Sequence, residues 1–343
     1  MFYIHQAKCI SPQLTWDNIH LEELQLSENN TLLAKEPTYE SIPPAMFRRM
    51  GKAVRLASGT ALPILHTLNF NGIIIGTANG GLEDCIKFLN QIIQYEEGRL
   101  TPTNFVQSTT NAIASQLAFF STNKGHNCTH VHRGLAFENA LLEAAMLLTE
   151  YPENNYLLGG VDEISAYQYN IDSLAGWHKN EEALNSNLYN YNSAGSIAGE
   201  GCVMFAVNNV KENADGKLKA ISTLHSDNEE DVKQHLKDFI ETHAKNNAID
   251  LLITGENGDN RFTHFYTLAE TILPDVSVTR FKHICGEYPT ASAFALWFAC
   301  TILETKNIPA HAIKKQVGNK SYKNILIYNN YQGKQHSIML VTM

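Results

Sequence analysis

Residues 127–143, NCTHVHRGLAFENALLE, set Cys128, His130 and His132 on a short polar strand that turns at Arg133-Gly134 into a helix. Such a strand–turn–helix is the layout of a nucleophile elbow, where a reactive side chain sits on a sharp turn at a helix start. The turn here carries arginine and glycine, with neither serine nor cysteine. Cys128 reads as a buried structural thiol, with a displaced nucleophile as the alternative. His130 and His132 point the same way on a strand, as metal ligands can. No carboxylate or cysteine accompanies that pair at metal-ligand spacing, so a core or interface role is expected, with no metal. Arg133, beside a helix start, needs a counter-charge, which Glu138, Glu163 or Glu287 could supply, and an Arg133–Glu287 pair would plug a site at the turn.

A second stretch with chemical potential is FKHICGEYPTASAFAL (281–296). In an extended chain His283, Cys285 and Glu287 share one face, which offers a thiol, an imidazole and a carboxylate together. Cysteine and histidine so close on one strand rarely reach nucleophile-to-base geometry. In LLITGENGDN (251–260), Asn257 and Asp259 are turn-forming types.

These residues must be positioned by alternating strands and helices. Apolar strand-like runs occur at 72–77, 155–163, 202–209, 218–224, 249–255, 324–330 and 336–343. Helical patterns lie between them, at 44–66, 79–97, 103–121, 135–150, 228–245, 261–272 and 289–305. The alternation predicts an α/β layered fold. The 135–150 helix is apolar nearly all round, which predicts burial at the centre of the molecule. The polar stretch NNVKENADGKLK (208–219) predicts two similar halves, 1–207 and 208–343, in one compact unit. Residues 170–195 read as a long surface excursion.

The chain has 343 residues, 44% hydrophobic and 18% charged, with a net charge of -9. This length supports a large core, and the charge argues against a nucleic-acid partner. Six cysteines without a CxxC pair read as free thiols of a reducing compartment. No basic-then-apolar leader and no long apolar run is evident, so a cytoplasmic protein without a membrane span is expected.

Taken together and in order, four segments resemble the β-ketoacyl synthases of the thiolase-fold superfamily. YLLGGVDEIS (156–165) is similar to the family's Ala-Gly-Gly-Ala-Asp/Glu strand, and GSIAGEGCVMFAV (195–207) to its Gly-Glu-Gly strand start. FKHICGEYPTASAFAL resembles the Lys-Ser-x-x-Gly-His-x-x-Gly-Ala-Ala-Gly segment. GHNCTHVHRGLAFENALLEA (125–144) resembles the Gly-Pro-Asn segment that delivers the nucleophilic cysteine. Residues 95–119 resemble the segment that crosses the family's dimer interface, which implies interface roles for Phe105, Thr109, Asn111 and Ala114.

The resemblance places Gly134 at the acyl-accepting cysteine and Asn257 and Glu287 at the two histidines. A synthase needs a thiolate to accept the acyl chain and two imidazoles to hold the thioester oxygen during decarboxylation. The resemblance therefore implies a chain-length factor: a catalytically inactive subunit, without cofactor, that pairs with an active ketosynthase and with acyl carrier protein. TPTNF (101–105) and TNAIAS (110–115) look nearest to the aryl polyene and flexirubin type. The alternatives are an active synthase, acyltransferase or decarboxylase using Cys285 with His283, or Cys128, and a non-catalytic homodimeric scaffold.

Overall fold

Apolar runs alternating with helical patterns give, in a computed structural model that describes residues 1–17, 19–40, 42–244, 248–318 and 322–343, a layered α/β molecule. The first half opens with β1 (Phe2–Ile10), β2 (Thr31–Leu32), α1 (Pro44–Phe47), α2 (Lys52–Leu65), β3 (Gly72–Gly76) and α3 (Leu82–Gln94). It continues with α4 (Pro102–Gln107), α5 (Ala112–Ser121), β4 (His126–His130), α6 (Ala136–Glu150), β5 (Tyr156–Asp162), α7 (Ala166–Leu174), β6 (Ala198–Gly199) and β7 (Gly201–Asn208). The second half opens with β8 (Gly216–His225), α8 (Glu229–His243), β9 (Leu251–Thr254), α9 (Thr263–Ile272) and β10 (Ser277–Arg280). It ends with α10 (Lys282–Cys285), α11 (Ala291–Thr305), β11 (Ile313–Lys315), β12 (Asn324–Tyr331) and β13 (Gln335–Thr342).

Eleven strands form one hydrogen-bonded ladder in the order β11-β10-β9-β12-β13-β8-β1-β7-β5-β3-β4. First-half strands occupy one end of the ladder and second-half strands the other. They meet where Phe2–Ile4 of β1 pair antiparallel with Gly216–Leu218 of β8. Each half contains a parallel trio, β4-β3-β5 and β10-β9-β12; the inner strands β3, β5 and β9 are buried on both faces, while β4 at the edge is not.

The period-two alternation of the strands sorts their side chains into layers. Tyr156 and Leu158 of β5, and Ile325 and Ile327 of β12, belong to one central cluster with α6 and α11. Leu157 and Val161 face the other way, onto α2 and α5. Leu326 and Tyr328 likewise face α8 and α9. The result is helix, sheet, helix, sheet, helix. At the outer face of the second half, α8 starts on Asn228, whose side chain accepts the backbone N–H groups of Glu230 and Asp231.

Several expectations needed adjusting. The 44–66 pattern breaks into α1 and α2, and the 103–121 pattern into α4 and α5. The 228–245 pattern ends at His243 as α8, and residue 245 lies outside the described residues. Helix α11 is buried from Ala291 to Leu303. By contrast, α6 is buried on one side only, and its Met146 is 66% exposed. Residues 170–195 are an excursion with buried anchors: about half of its residues are exposed, while His178, Asn185 and Leu188 are buried.

Candidate functional site

Strand β4 leads into a turn of 3-10 helix at Arg133–Leu135 and then into α6. Arg133 has φ +48°, the left-handed region that a non-glycine residue occupies only under strain. The apex of the elbow is therefore Arg133, one residue before the glycine that the resemblance aligns with the cysteine. The arginine side chain is exposed, while Gly134 is buried.

Gly134 faces the β12–β13 hairpin. A Cβ added there would lie 2.2 Å from Cβ and 2.4 Å from Cγ of Tyr331. The same hairpin supplies Gln335, whose Oε1 accepts the Gly134 N–H at 2.9 Å. Its Nε2 donates to the His132 carbonyl at 3.4 Å. Gly333, with φ +68°, makes the tight return that brings Tyr331 and Gln335 to one place. A tyrosine ring thus stands where a nucleophile on residue 134 would need room.

Asn257 and Glu287 do meet, as their resemblance to a paired site implied. Asn257 Nδ2 donates to Glu287 Oε2 at 2.7 Å. Glu287 Oε1 pairs with Lys282 Nζ at 2.5 Å, and this lysine, on α10, is fully buried. The expected Arg133–Glu287 plug is corrected accordingly: the cation at Glu287 is Lys282, because α10 delivers its amine directly beneath the carboxylate. Glu287 is held by backbone bonds to β6 and its flank, donating to the Ile197 carbonyl at 2.8 Å and accepting from Gly199 at 2.9 Å. Asn257 also receives the Asp259 N–H on Oδ1, so its turn-forming role is real as well.

Asp162, at the end of β5, ties three elements together. Its Oδ1 accepts N–H groups from Ala78 and Asn79, and its Oδ2 accepts the N–H and hydroxyl of Thr290. The Thr77 hydroxyl donates to Oδ1 as well, at 3.1 Å, and burial raises this carboxyl's pKa despite all five donors.

The alternative nucleophiles do not assemble. Residues 282–285 are helical, so His283 and Cys285 do not share the face that an extended segment would give them. His283 Nδ1 meets the Tyr189 hydroxyl at 2.9 Å and its Nε2 meets His311 at 2.8 Å. Burial, and then the His311 and Arg280 charges, hold that imidazole well below its ordinary value. Cys285 is buried and its Sγ donates to the Gly286 carbonyl at 3.3 Å; burial pushes the thiol up, which disfavours a thiolate. Burial and then the Glu143 carboxylate push the Cys128 thiol up to about 11.

The cavity over this site is lined by Tyr169, Trp177, Phe262 and Tyr331 together with Glu163 and Glu287. Burial holds the Glu163 carboxyl at about 7. His178 also borders it, stacked on Tyr169 with ring centroids 4.8 Å apart. Sequence reasoning missed Tyr169, Trp177, His178, Lys282 and Tyr331. The signal lay in the tyrosine of NNYQGKQ, whose place beside Gly134 depends on a contact across some 200 residues.

Of the four expected interface residues, Phe105, Thr109 and Asn111 are exposed. Ala114 is not: it is fully buried against α2 and β3, because it lies on the inward stripe of α5. Asn111 accepts the Thr129 hydroxyl, and the Ala114 carbonyl accepts Asn127 Nδ2, so this segment backs β4 directly. Strand β4 ends the ladder, and Phe119, Val131 and Met146 are exposed around it. Among the described residues, no helix is long and apolar enough to cross a membrane.

The family described as "Beta-ketoacyl synthase, N-terminal domain" matches residues 23–198, just over half the chain. A β-ketoacyl synthase from Burkholderia phymatum aligns with TM-score 0.80 at 12% identity, over 99% of this chain and 98% of that one. The ishigamide ketosynthase/chain length factor aligns with TM-score 0.79 at 11% identity, over 100% and 98%. A ketosynthase, ApeO, in complex with its chain length factor, ApeC, from Xenorhabdus doucetiae gives 0.78 at 11%, over 100% and 98%. No curated protein matches the chain. At such identities the likeness is one of fold, and the layered architecture is that of thiolase-fold ketosynthases.

Proposed function

The chain belongs to the β-ketoacyl synthase N-terminal domain family, and from that premise we propose that it is a non-condensing, chain-length-factor-type subunit. Its task is to pair with an active ketosynthase and to shape the tunnel in which a carrier-bound acyl or polyene chain grows. The observation that carries this reading is the elbow. Its apex is Arg133, its following residue is Gly134, and the Tyr331 ring fills the space beside that glycine.

The surrounding polar groups argue the same way. Decarboxylative condensation develops negative charge on the thioester oxygen, which a synthase meets with imidazole N–H donors. Here the carboxylate of Glu287 occupies that neighbourhood, already engaged by Lys282 and Asn257. An acidic group beside a developing enolate opposes the reaction. The exposed apolar groups around the free edge of β4 support a partner subunit on that side. We assign the pathway to fatty acid or polyketide synthesis of aryl polyene or flexirubin type, on the resemblance of residues 101–105 and 110–115.

The test is intact-mass measurement after incubation with acyl- and malonyl-carrier protein, alone and with a co-purifying ketosynthase. No acyl adduct on this chain is expected, with condensation appearing only when the partner is present. A thioester on any of the six cysteines, or condensation by this chain alone, refutes the reading.

A further inference from the structure

Strand β4 alternates His126, Cys128 and His130 on the face that α6 covers, and α6 answers with Glu143. Three elements of sequence spacing converge there. The strand's period of two sets the donors on one side, the ladder ends at β4 so that this side is backed by a helix at an open edge, and Glu143 reaches two imidazoles at once. His126 Nε2 lies 2.8 Å from Glu143 Oε1, and His130 Nε2 lies 2.6 Å from Oε2. Cys128 Sγ is 3.9 Å from His130 Nε2. One donor atom from each of His126, Cys128 and Glu143 lies within 4.8 Å of the others.

We propose that His126, Cys128 and Glu143 bind a divalent transition-metal ion of the Zn2+ class, with water in a fourth position and His130 fixing the second carboxylate oxygen. One imidazole, one thiolate and one carboxylate are a borderline-soft set suited to zinc or cobalt and unsuited to magnesium or calcium, which demand oxygen ligands. Thiolate and carboxylate together cancel the charge of a dication. Binding forms the sulfur–metal bond and releases the thiol proton to solvent. Ligating carboxylates are themselves hydrogen-bonded in such sites, and His130 supplies that bond to the far oxygen of Glu143. The metal joins β4 to α6 and so holds the last strand of the ladder against the central helix. The site makes no use of the elbow and does not depend on the condensing activity or its loss.

The expectation of no metal looked only at His130 and His132. His132 instead meets Asn139 at 3.2 Å, and the missing cysteine and carboxylate come from within β4 and from α6.

The test uses the whole purified chain, stripped with a chelator and titrated with Co2+. One equivalent should bind with tetrahedral visible absorption and a sulfur-to-cobalt charge-transfer band, and Zn2+ should displace it and raise the thermal midpoint. Cys128→Ser should abolish the charge-transfer band, and His130→Ala should weaken binding by about 10- to 100-fold. Cys85→Ser, on a separate helix, should change neither. Circular dichroism confirms that each variant is folded. A charge-transfer band that survives Cys128→Ser, or a folded wild-type chain that shows no saturable Co2+ binding, overturns the proposal.

Discussion

Glu138 illustrates what a single buried group imposes. It sits in the first turn of α6 with both carboxyl oxygens buried and lacking a hydrogen-bond partner. Burial holds its pKa at about 7, although the Ser292 and Ser337 hydroxyls are near enough to ease the penalty. A carboxyl raised from its ordinary 4.5 to about 7 stays protonated in the fold at pH values where the unfolded chain has already released the proton. Its stability contribution is intact below the unfolded value and is lost as pH climbs from there towards 7, after which it is level. Glu138→Gln removes that dependence. Between pH 4 and pH 8 the stability difference should move in the variant's favour by on the order of 3 kcal/mol, read from denaturant midpoints. A difference that does not vary with pH would mean the carboxylate is charged in the fold. No sequence pattern announced this, since Glu138 occupies an ordinary N-terminal helix position. Lys282 was equally hidden, because its burial follows from where α10 lands and not from its neighbours in sequence.

At the scale of elements, the proposed association rests on the edge formed by β4, α5 and α6. Phe119 on α5 is 69% exposed and Met146 on α6 is 66% exposed, on helices that cover opposite faces of the sheet next to β4. An unpaired strand edge flanked by exposed apolar side chains is a liability that a partner relieves. Phe119→Asp should therefore weaken the partner complex by about 2 kcal/mol or more, roughly thirtyfold in Kd, while the circular dichroism of the subunit is unchanged. A tight complex on size exclusion after this change would move the interface elsewhere. A charge at Ala114 is the wrong probe, since it would enter the packing between α5 and α2 and destabilise the subunit itself. The long elements were legible because strand and helix periods differ plainly. β1 and β10 were not, being short of continuous apolar character: FYIHQAKCI mixes polar residues into a strand whose inner face is set by β7 and β8.

For the whole molecule, the two halves that meet at 208 share one core. The central cluster draws on β5 and β7 from one half and β9, β12 and β13 from the other, so neither half closes its core alone. Single-tryptophan probes at Trp177 and Trp297 should report one coincident transition in guanidinium, and two separated transitions would contradict the shared core. The ordered motifs made the layered architecture readable from the sequence. The site was half readable: the glycine at 134 and the amide and acid at 257 and 287 stand plainly in the sequence, but the Tyr331 ring and the Lys282 amine beside them do not. The hairpin that carries Tyr331 gives that arrangement a direction in time. A mutation placing sulfur at residue 134 would strike the aromatic ring, and trimming the ring alone would leave glycine behind. Imidazoles would also have to stand in place of the amide and acid opposite. On the proposed reading as a non-condensing subunit, gaining condensing power would demand simultaneous changes on distant parts of the gene, and the arrangement works as a ratchet.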